Sequence, residues 1–335
     1  MQKGLTYDDV LLVPQYSDIE SRSEVSLTTD FGRGVELELP IIASPMDTVS
    51  EANMAGSLGE LGGISIVHRY NSIEEQSAMI ASLGENTLVG AAVGVSGDFA
   101  DRAVSAVAAG AKVICIDIAH GHHILMKKAI KRIREVLPKI HIMAGNVATL
   151  EGFNDLADWG ADSIRCNIGG GSICTTRVQT GHGVPGIETI FQCAKSDRNA
   201  KIIADGGLKN SGDIVKALAA GADAVMLGSL LAGTDCSPGT IFKTESGELR
   251  KTYRGMASAA AQKDWRGRVA SCEGVSSSVP YRGKLADVVK ELERGIRSGL
   301  SYSGARSVKE LQAKAQWLQQ SSASATESSA HIRLR

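Results

Sequence analysis

An α/β fold, eight strand-helix repeats closing into a parallel (β/α)8 barrel, is predicted by three observations. Short apolar runs alternate with longer amphipathic ones, the apolar runs number eight, and each is followed by a loop richer in glycine and polar residues than the run before it. An open, doubly wound sheet shares the local alternation, but no G-x-G-x-x-G follows the first strand.

Taken in order, the strands are expected at 39–43, 63–67, 88–93, 112–116, 140–144, 163–167, 201–204 and 224–227. Helices are expected at 51–61, 73–83, 98–109, 125–136, 150–159, 186–195 and 211–220, several of them opened by Ser, Thr or Asp as N-caps. Only one helix separates the second strand from the third, so no further domain is inserted there. The chain beyond about Thr234 is not needed to close a barrel and is expected to supply a lid over about 256–282. A helix over 285–299 follows, then a second over 308–320 with apolar Leu311, Ala315 and Leu318. Residues 1–320 thus read as one catalytic domain, and the Ser-rich tail 321–335, ending in a short basic segment, as disordered.

Composition narrows the function. Lys+Arg 36 against Asp+Glu 37 leaves no broad basic surface, which argues against nucleic acid or an anionic membrane and for a small-molecule partner. No apolar run approaches the roughly 18 residues that a membrane span needs. The six cysteines form no C-x-x-C pair or framework spacing, so a reducing, cytoplasmic setting is expected.

In a closed barrel the chemistry sits on the loops after the strands. The richest of these is 167–177, NIGGGSICTTR, where three glycines release the backbone and Cys174 is flanked by hydroxyls. On this stretch alone, a turn before a structural cysteine stays open; placement after the sixth strand favours a nucleophile. Thr176 relays a proton only with a stronger group behind it, and Glu273 is the carboxylate we select, although a carboxylate in a surface turn is ordinarily just solvated. The loops at 205–207 and 228–229 follow strands seven and eight, where such barrels hold phosphate on backbone N–H groups. Asp205 and Asp117 suit ribose hydroxyls, Asp117 equally a helix cap. His120, His122 and His123 lack a carboxylate or thiol partner of the kind a zinc site requires.

Seven segments in order, GLTYDDVLLVP at 4–14, MDTV at 46–49, AGNV at 144–147, GSICTTR at 171–177, DGG at 205–207, MLGS at 226–229 and YRGM at 253–256, resemble the IMP dehydrogenase/GMP reductase family. The resemblance implies a (β/α)8 TIM barrel, usually a homotetramer, in which Cys174 bonds covalently to purine C2 and a nicotinamide cofactor exchanges hydride there. It assigns Ser172, Gly207, Gly228, Ser229 and Tyr253 to the phosphate of a purine nucleotide monophosphate, and counts Gly206, Arg254 and Gly255 among the substrate-binding residues. Asp205 would hold the ribose, and Ser44, Met46, Met256 and Glu273 the base. Asp117, with Ala119 and His120, would meet the cofactor, and a potassium ion would rest on carbonyls of Gly169, Gly171 and Cys174. Two departures fall in that loop: Asn167 stands where the family commonly has Gly, and Gly170 where it has Pro.

Two absences point to the reductase branch. There is no room for the regulatory (CBS) domain that most of the dehydrogenases insert, and the short interval from Met256 to Glu273 lacks the Arg-Tyr pair of their water-activating flap. The expected reaction is therefore GMP plus NADPH to IMP, ammonia and NADP, with Thr176 and Glu273 handling the proton. The alternative is a dehydrogenase without the CBS domain, oxidising IMP to XMP with NAD; the segments 44–51 and 62–68 look more like that branch. A catalytically idle nucleotide-binding barrel is a further alternative.

Overall fold

The computed structural model describes residues 3–269 and 273–328. Eight parallel strands close into a barrel: β1 (Ile41–Ala43), β2 (Ile64–Val67), β3 (Val89–Val93), β4 (Val113–Asp117), β5 (His141–Val147), β6 (Ser163–Cys166), β7 (Lys201–Asp205) and β8 (Ala224–Leu227). Closure rests on β8 against β1, with Val225 opposite Ile41 and Leu227 opposite Ala43. All eight expected strands are present. The expected boundaries move where pairing continues: β4 runs on to Asp117, which is opposite Gly145, so this carboxylate ends a strand rather than standing in a loop.

Helices cover the outside because each carries one apolar face. Ile124–Val136, for instance, buries Met126, Ala129, Ile130 and Ile133 at three- and four-residue spacing. Ser72, Thr149 and Asn210 cap their helices by accepting backbone N–H groups. Between β2 and β3 the chain makes only the helix Ile73–Ala81, so no domain is inserted there.

The barrel interior is a separate apolar core, built from residues such as Ile42, Ile64, Val113, Met143 and Met226. Phe31 and Leu37 belong to the same core and come from a hairpin, Thr29–Gly32 with Val35–Leu37, that precedes β1. Sequence periodicity misses this hairpin because its strands are only four and three residues long. Phe31 stacks on His141 with centroids 4.9 Å apart, and His141 Nε2 lies 2.8 Å from Ser163 Oγ.

After β8 the structure departs from expectation in three places. The segment expected over 256–282 belongs to a larger unit: strands Ile241–Lys243, Leu249–Arg254 and Ser276–Pro280 form an antiparallel sheet, with the helix Ala259–Arg266 between its last two strands. The helix expected over 308–320 ends at Lys314, because Ala315 takes extended angles and Trp317–Gln319 pairs antiparallel with Val10–Leu12. Leu318, read as a helical apolar position, is 55% exposed on that strand. The third concerns the tail, where Ser322–Glu327 forms a short helix capped by Ser321 and not the disordered chain expected; residues 329–335 lie outside the described residues. Among the described residues no helix is long and apolar enough to cross a membrane.

Burial holds the His141 imidazole down to about 4, from an ordinary 6.5. Its folded value is the lower one, so the unfolded chain binds more protons between those limits. Stability is therefore expected to fall as pH drops from about 6.5 towards 4. Urea titrations of the parent and of His141→Gln check this: the difference between their stability curves should slope in that window and flatten above it.

Candidate active site

Residues at or just beyond seven of the eight strand ends, all but that of β3, line one cavity of about 510 Å³. Its chemistry is built from three groups of residues that lie far apart in the sequence.

The first is the thiol loop. Cys174 N–H donates to Gly171 O at 3.1 Å, folding the glycines into a tight turn that leaves the side chain half-buried in the cavity. The Cys174 thiol donates to Thr176 Oγ1 at 3.2 Å, and that hydroxyl donates to Glu273 Oε2 at 2.8 Å. Backbone pairing brings Glu273 there: Thr175 N–H donates to Glu273 O, Val275 N–H to Ile173 O, and Cys174 bridges Gly274. The lid segment is thus stitched to the loop like an added strand, and a pairing weak in the sequence becomes a continuous thiol–hydroxyl–carboxylate chain.

The second group is the glycine-lined end below β7 and β8. Gly206 and Gly207 take φ of +86° and +80°, angles at which a side chain is strained. A Cβ on Gly228 would fall 2.7 Å from Tyr253 Oη and 3.2 Å from Ser44 Oγ. Ser172 and Ser229 line the same wall. Burial pushes the Tyr253 phenol up to about 12, so it stays protonated and able to donate a hydrogen bond.

The third is a buried charge bridge that sequence reasoning missed. Arg165, on β6, reaches Asp117 Oδ1 at 2.5 Å with Nη1, and Asp205 Oδ2 at 2.9 Å with Nη2 and 3.0 Å with Nε. Asp117, Gly145 and Arg165 stand in register on adjacent strands. A Cβ on Gly145 would meet Arg165 Cβ at 2.6 Å, so the bare Gly145 leaves room for Arg165 in this position. Asn146 Nδ2 donates to Asp205 at 2.7 Å, and Arg69 lies 3.7 Å from Asp117. Burial raises the Asp117 carboxyl, but the Arg165 and Arg69 charges outweigh it and hold it below its usual value. Burial likewise disfavours the Arg165 cation, and the two carboxylates more than reverse that. The available signal was an arginine inside an otherwise apolar strand.

Of the other residues singled out from the sequence, Met46, Ala119, Gly169, Gly171, Gly255 and Met256 line the cavity. Two do not. His120 is exposed outside it. Arg254 is drawn away by carboxylates, its Nη2 at 2.6 Å from Asp47 and its Nη1 at 2.5 Å from Asp264, which ties the lid helix to the loop after β1. Arg69, Tyr70, Gln262 and Arg266 were not assigned and do line it; Tyr70 stacks on Trp265 of the lid at 4.2 Å. Among the described residues no cluster of three or more His, Cys, Asp or Glu is placed to hold a metal, and His122 is paired with Asp155.

The sequence model of the IMP dehydrogenase / GMP reductase domain matches residues 4–331. The chain belongs to this family. It is 35% identical to inosine-5'-monophosphate dehydrogenase of Nitrosopumilus maritimus, over 98% of this chain and 98% of that protein. It is 32% identical to GMP reductase of Leishmania major, over 99% and 97%. Both branches are therefore represented at similar identity. Among solved structures, a cysteine-to-alanine GMP reductase of Trypanosoma brucei in complex with guanosine 5'-monophosphate aligns with TM-score 0.95 and 32% identity, covering 100% of this chain and 99% of that one. Family membership makes the chain an oxidoreductase of purine nucleotide metabolism.

Removing Arg165 would leave two buried carboxylates facing each other. Arg165→Met is expected to cost about 3–5 kcal/mol of stability in denaturant titration, as loss of one partner of a buried ion pair does. Unchanged stability would show that the bridge does not hold the barrel mouth.

Proposed function

We propose that the protein is a GMP reductase, converting GMP and NADPH to IMP, ammonia and NADP. The observation that carries this reading is the unbroken chain Cys174–Thr176–Glu273 beneath a short lid. Cys174 loses its proton through Thr176 to Glu273, and the thiolate attacks purine C2. The same proton, with a second from solvent, returns to the departing 2-amino group, which leaves as ammonium while the thioimidate forms. A nicotinamide cofactor, bound beside Asp117 and Ala119, would supply the hydride to C2, with Cys174 leaving as the thiolate when IMP is released.

Ser172, Gly206, Gly207, Gly228, Ser229 and Tyr253 suit the nucleotide phosphate, since they offer hydroxyls and exposed backbone without obstructing side chains. Asp205 takes the substrate ribose, and Ser44, Met46, Gly255 and Met256 border the base. Asp117, held ionised by Arg165, accepts hydroxyls of the cofactor beside Ala119. Potassium suits the uncharged carbonyls of Gly169, Gly171 and Cys174, where it would steady the loop. We further propose a cytoplasmic homotetramer, on the family resemblance and on cysteines that form no framework spacing.

A second reading, oxidation of IMP to XMP with NAD, draws on one observation: Arg69, Tyr70 and Arg266 line the cavity together, although the lid carries no Arg-Tyr pair in sequence.

Following nicotinamide absorbance separates the two. NADPH should be consumed with GMP, and robust NADH formation from IMP and NAD would overturn the assignment. Cys174→Ala is expected to abolish turnover, by at least about a thousandfold, with GMP affinity retained by calorimetry. Thr176→Ala and Glu273→Gln should slow ammonia release about 100-fold or more, and hydride transfer less, in rapid-quench and stopped-flow measurements; equal slowing of both steps would count against the relay.

A further inference from the structure

Asn167 is the last residue before the glycine turn, and its backbone is unusual. Its φ is 156°, in a region that residues other than glycine rarely adopt. The side chain is buried, 4% exposed, and its Nδ2 donates to Gly206 O at 3.3 Å. Its backbone is fixed on both sides: Asn167 N–H donates to Val147 O at 2.8 Å, and Asn167 O accepts from Asn146 Nδ2 at 3.1 Å.

The carboxamide fills the space beneath the thiol loop. A Cβ on Gly170 would lie 2.1 Å from Asn167 Nδ2 and 2.7 Å from its Oδ1, closer than any real contact. No side chain, and no proline ring, fits at 170 while Asn167 keeps this position. Conversely, the carboxamide fits only because position 170 is bare. The residues at 167 and 170 are therefore sterically coupled. They also meet the facing loop: a Cβ on Gly206 would lie 3.2 Å from Gly171 N, so the thiol loop and the 205–207 loop are in contact where Asn167 bridges them.

We propose that Asn167 is a positioning residue for the Cys174 thiol. Its carboxamide is a strut between the thiol loop and the Asp205–Gly207 loop, and it restores the stiffness that a glycine at 170 removes from the backbone. Asn at 167 then requires Gly at 170, and a stiffer residue at 170 requires that the carboxamide be removed.

The proposal rests on Cys174 being the reactive thiol, and a double-mutant cycle tests it with a readout independent of which purine is turned over. The variants are Asn167→Gly, Gly170→Pro and the two combined, with Gly170→Ala as a gentler intrusion. Alkylation of Cys174 by iodoacetamide across pH is followed by peptide mass spectrometry, beside kcat/KM and Tm. Each single variant is expected to change the Cys174 alkylation rate and lower kcat/KM by about tenfold or more, while the double variant returns to within a few-fold of the parent. Single effects that simply multiply in the double variant would overturn the proposal. If Gly170→Pro does not fold, Gly170→Ala decides: altered thiol reactivity at parental Tm supports the strut, and loss only in proportion to unfolding overturns it. An inert thiol in the parent protein would overturn the reading of Cys174 and this proposal with it; a reactive thiol with multiplicative singles overturns this proposal alone.

Discussion

The mouth of the barrel depends on a single guanidinium. Asp117 and Asp205 end β4 and β7, and both are needed as carboxylates if they are to accept sugar hydroxyls. Two such groups at a shared, poorly solvated mouth repel and would tend to take up protons. Arg165, bonded to both, removes that conflict and fixes their directions at once. A buried bridge of this kind is weak evidence for net stability, since desolvation offsets much of the attraction. Its value here is orientation: the two proposed sugar-binding carboxylates are held in place before any ligand arrives. Gly145 is part of the same device, because a side chain there would collide with Cβ and the main chain of Arg165.

Around that fixed centre, the thiol–hydroxyl–carboxylate chain is assembled by backbone pairing rather than by packing. Glu273 lies 97 residues from Thr176 in sequence, yet its side chain reaches the Thr176 hydroxyl because main-chain bonds join residues 273–275 to residues 173–175. The lid is tied to the barrel by Arg254 between Asp47 and Asp264 and by the Tyr70–Trp265 stack. The segment after β8, the thiol position and the Cys174–Thr176–Glu273 hydrogen bonds are in this way one mechanical unit. On the proposed reading, ligand exchange disturbs the groups that carry the proton.

The barrel itself was legible because buried parallel strands and amphipathic helices have different apolar periods, and eight alternations leave few other folds. The place of Cys174 in the cavity was legible from its glycine-rich surroundings, and most of the other cavity-lining residues from the motif resemblance. What was missed depends on contacts distant in sequence. Phe31 closes the inner core from strands too short to show a period, and Trp317–Gln319 follows its pairing with Val10–Leu12 over the helical spacing of Leu311, Ala315 and Leu318. Arg254 was placed among the substrate-binding residues by motif, but its guanidinium is paired with Asp47 and Asp264. Arg165 and Asn167 were hidden for a common reason: a polar residue beside an apolar strand acquires meaning only when the strands opposite are known.

The most direct test of the account follows the exocyclic nitrogen of GMP. With an isotopic label on the 2-amino group, NMR during turnover with NADPH should show one labelled ammonium released for each NADPH oxidised, and the label absent from the IMP formed. Label that stays on the purine, with NADH produced instead from IMP and NAD, would contradict the reductase reading.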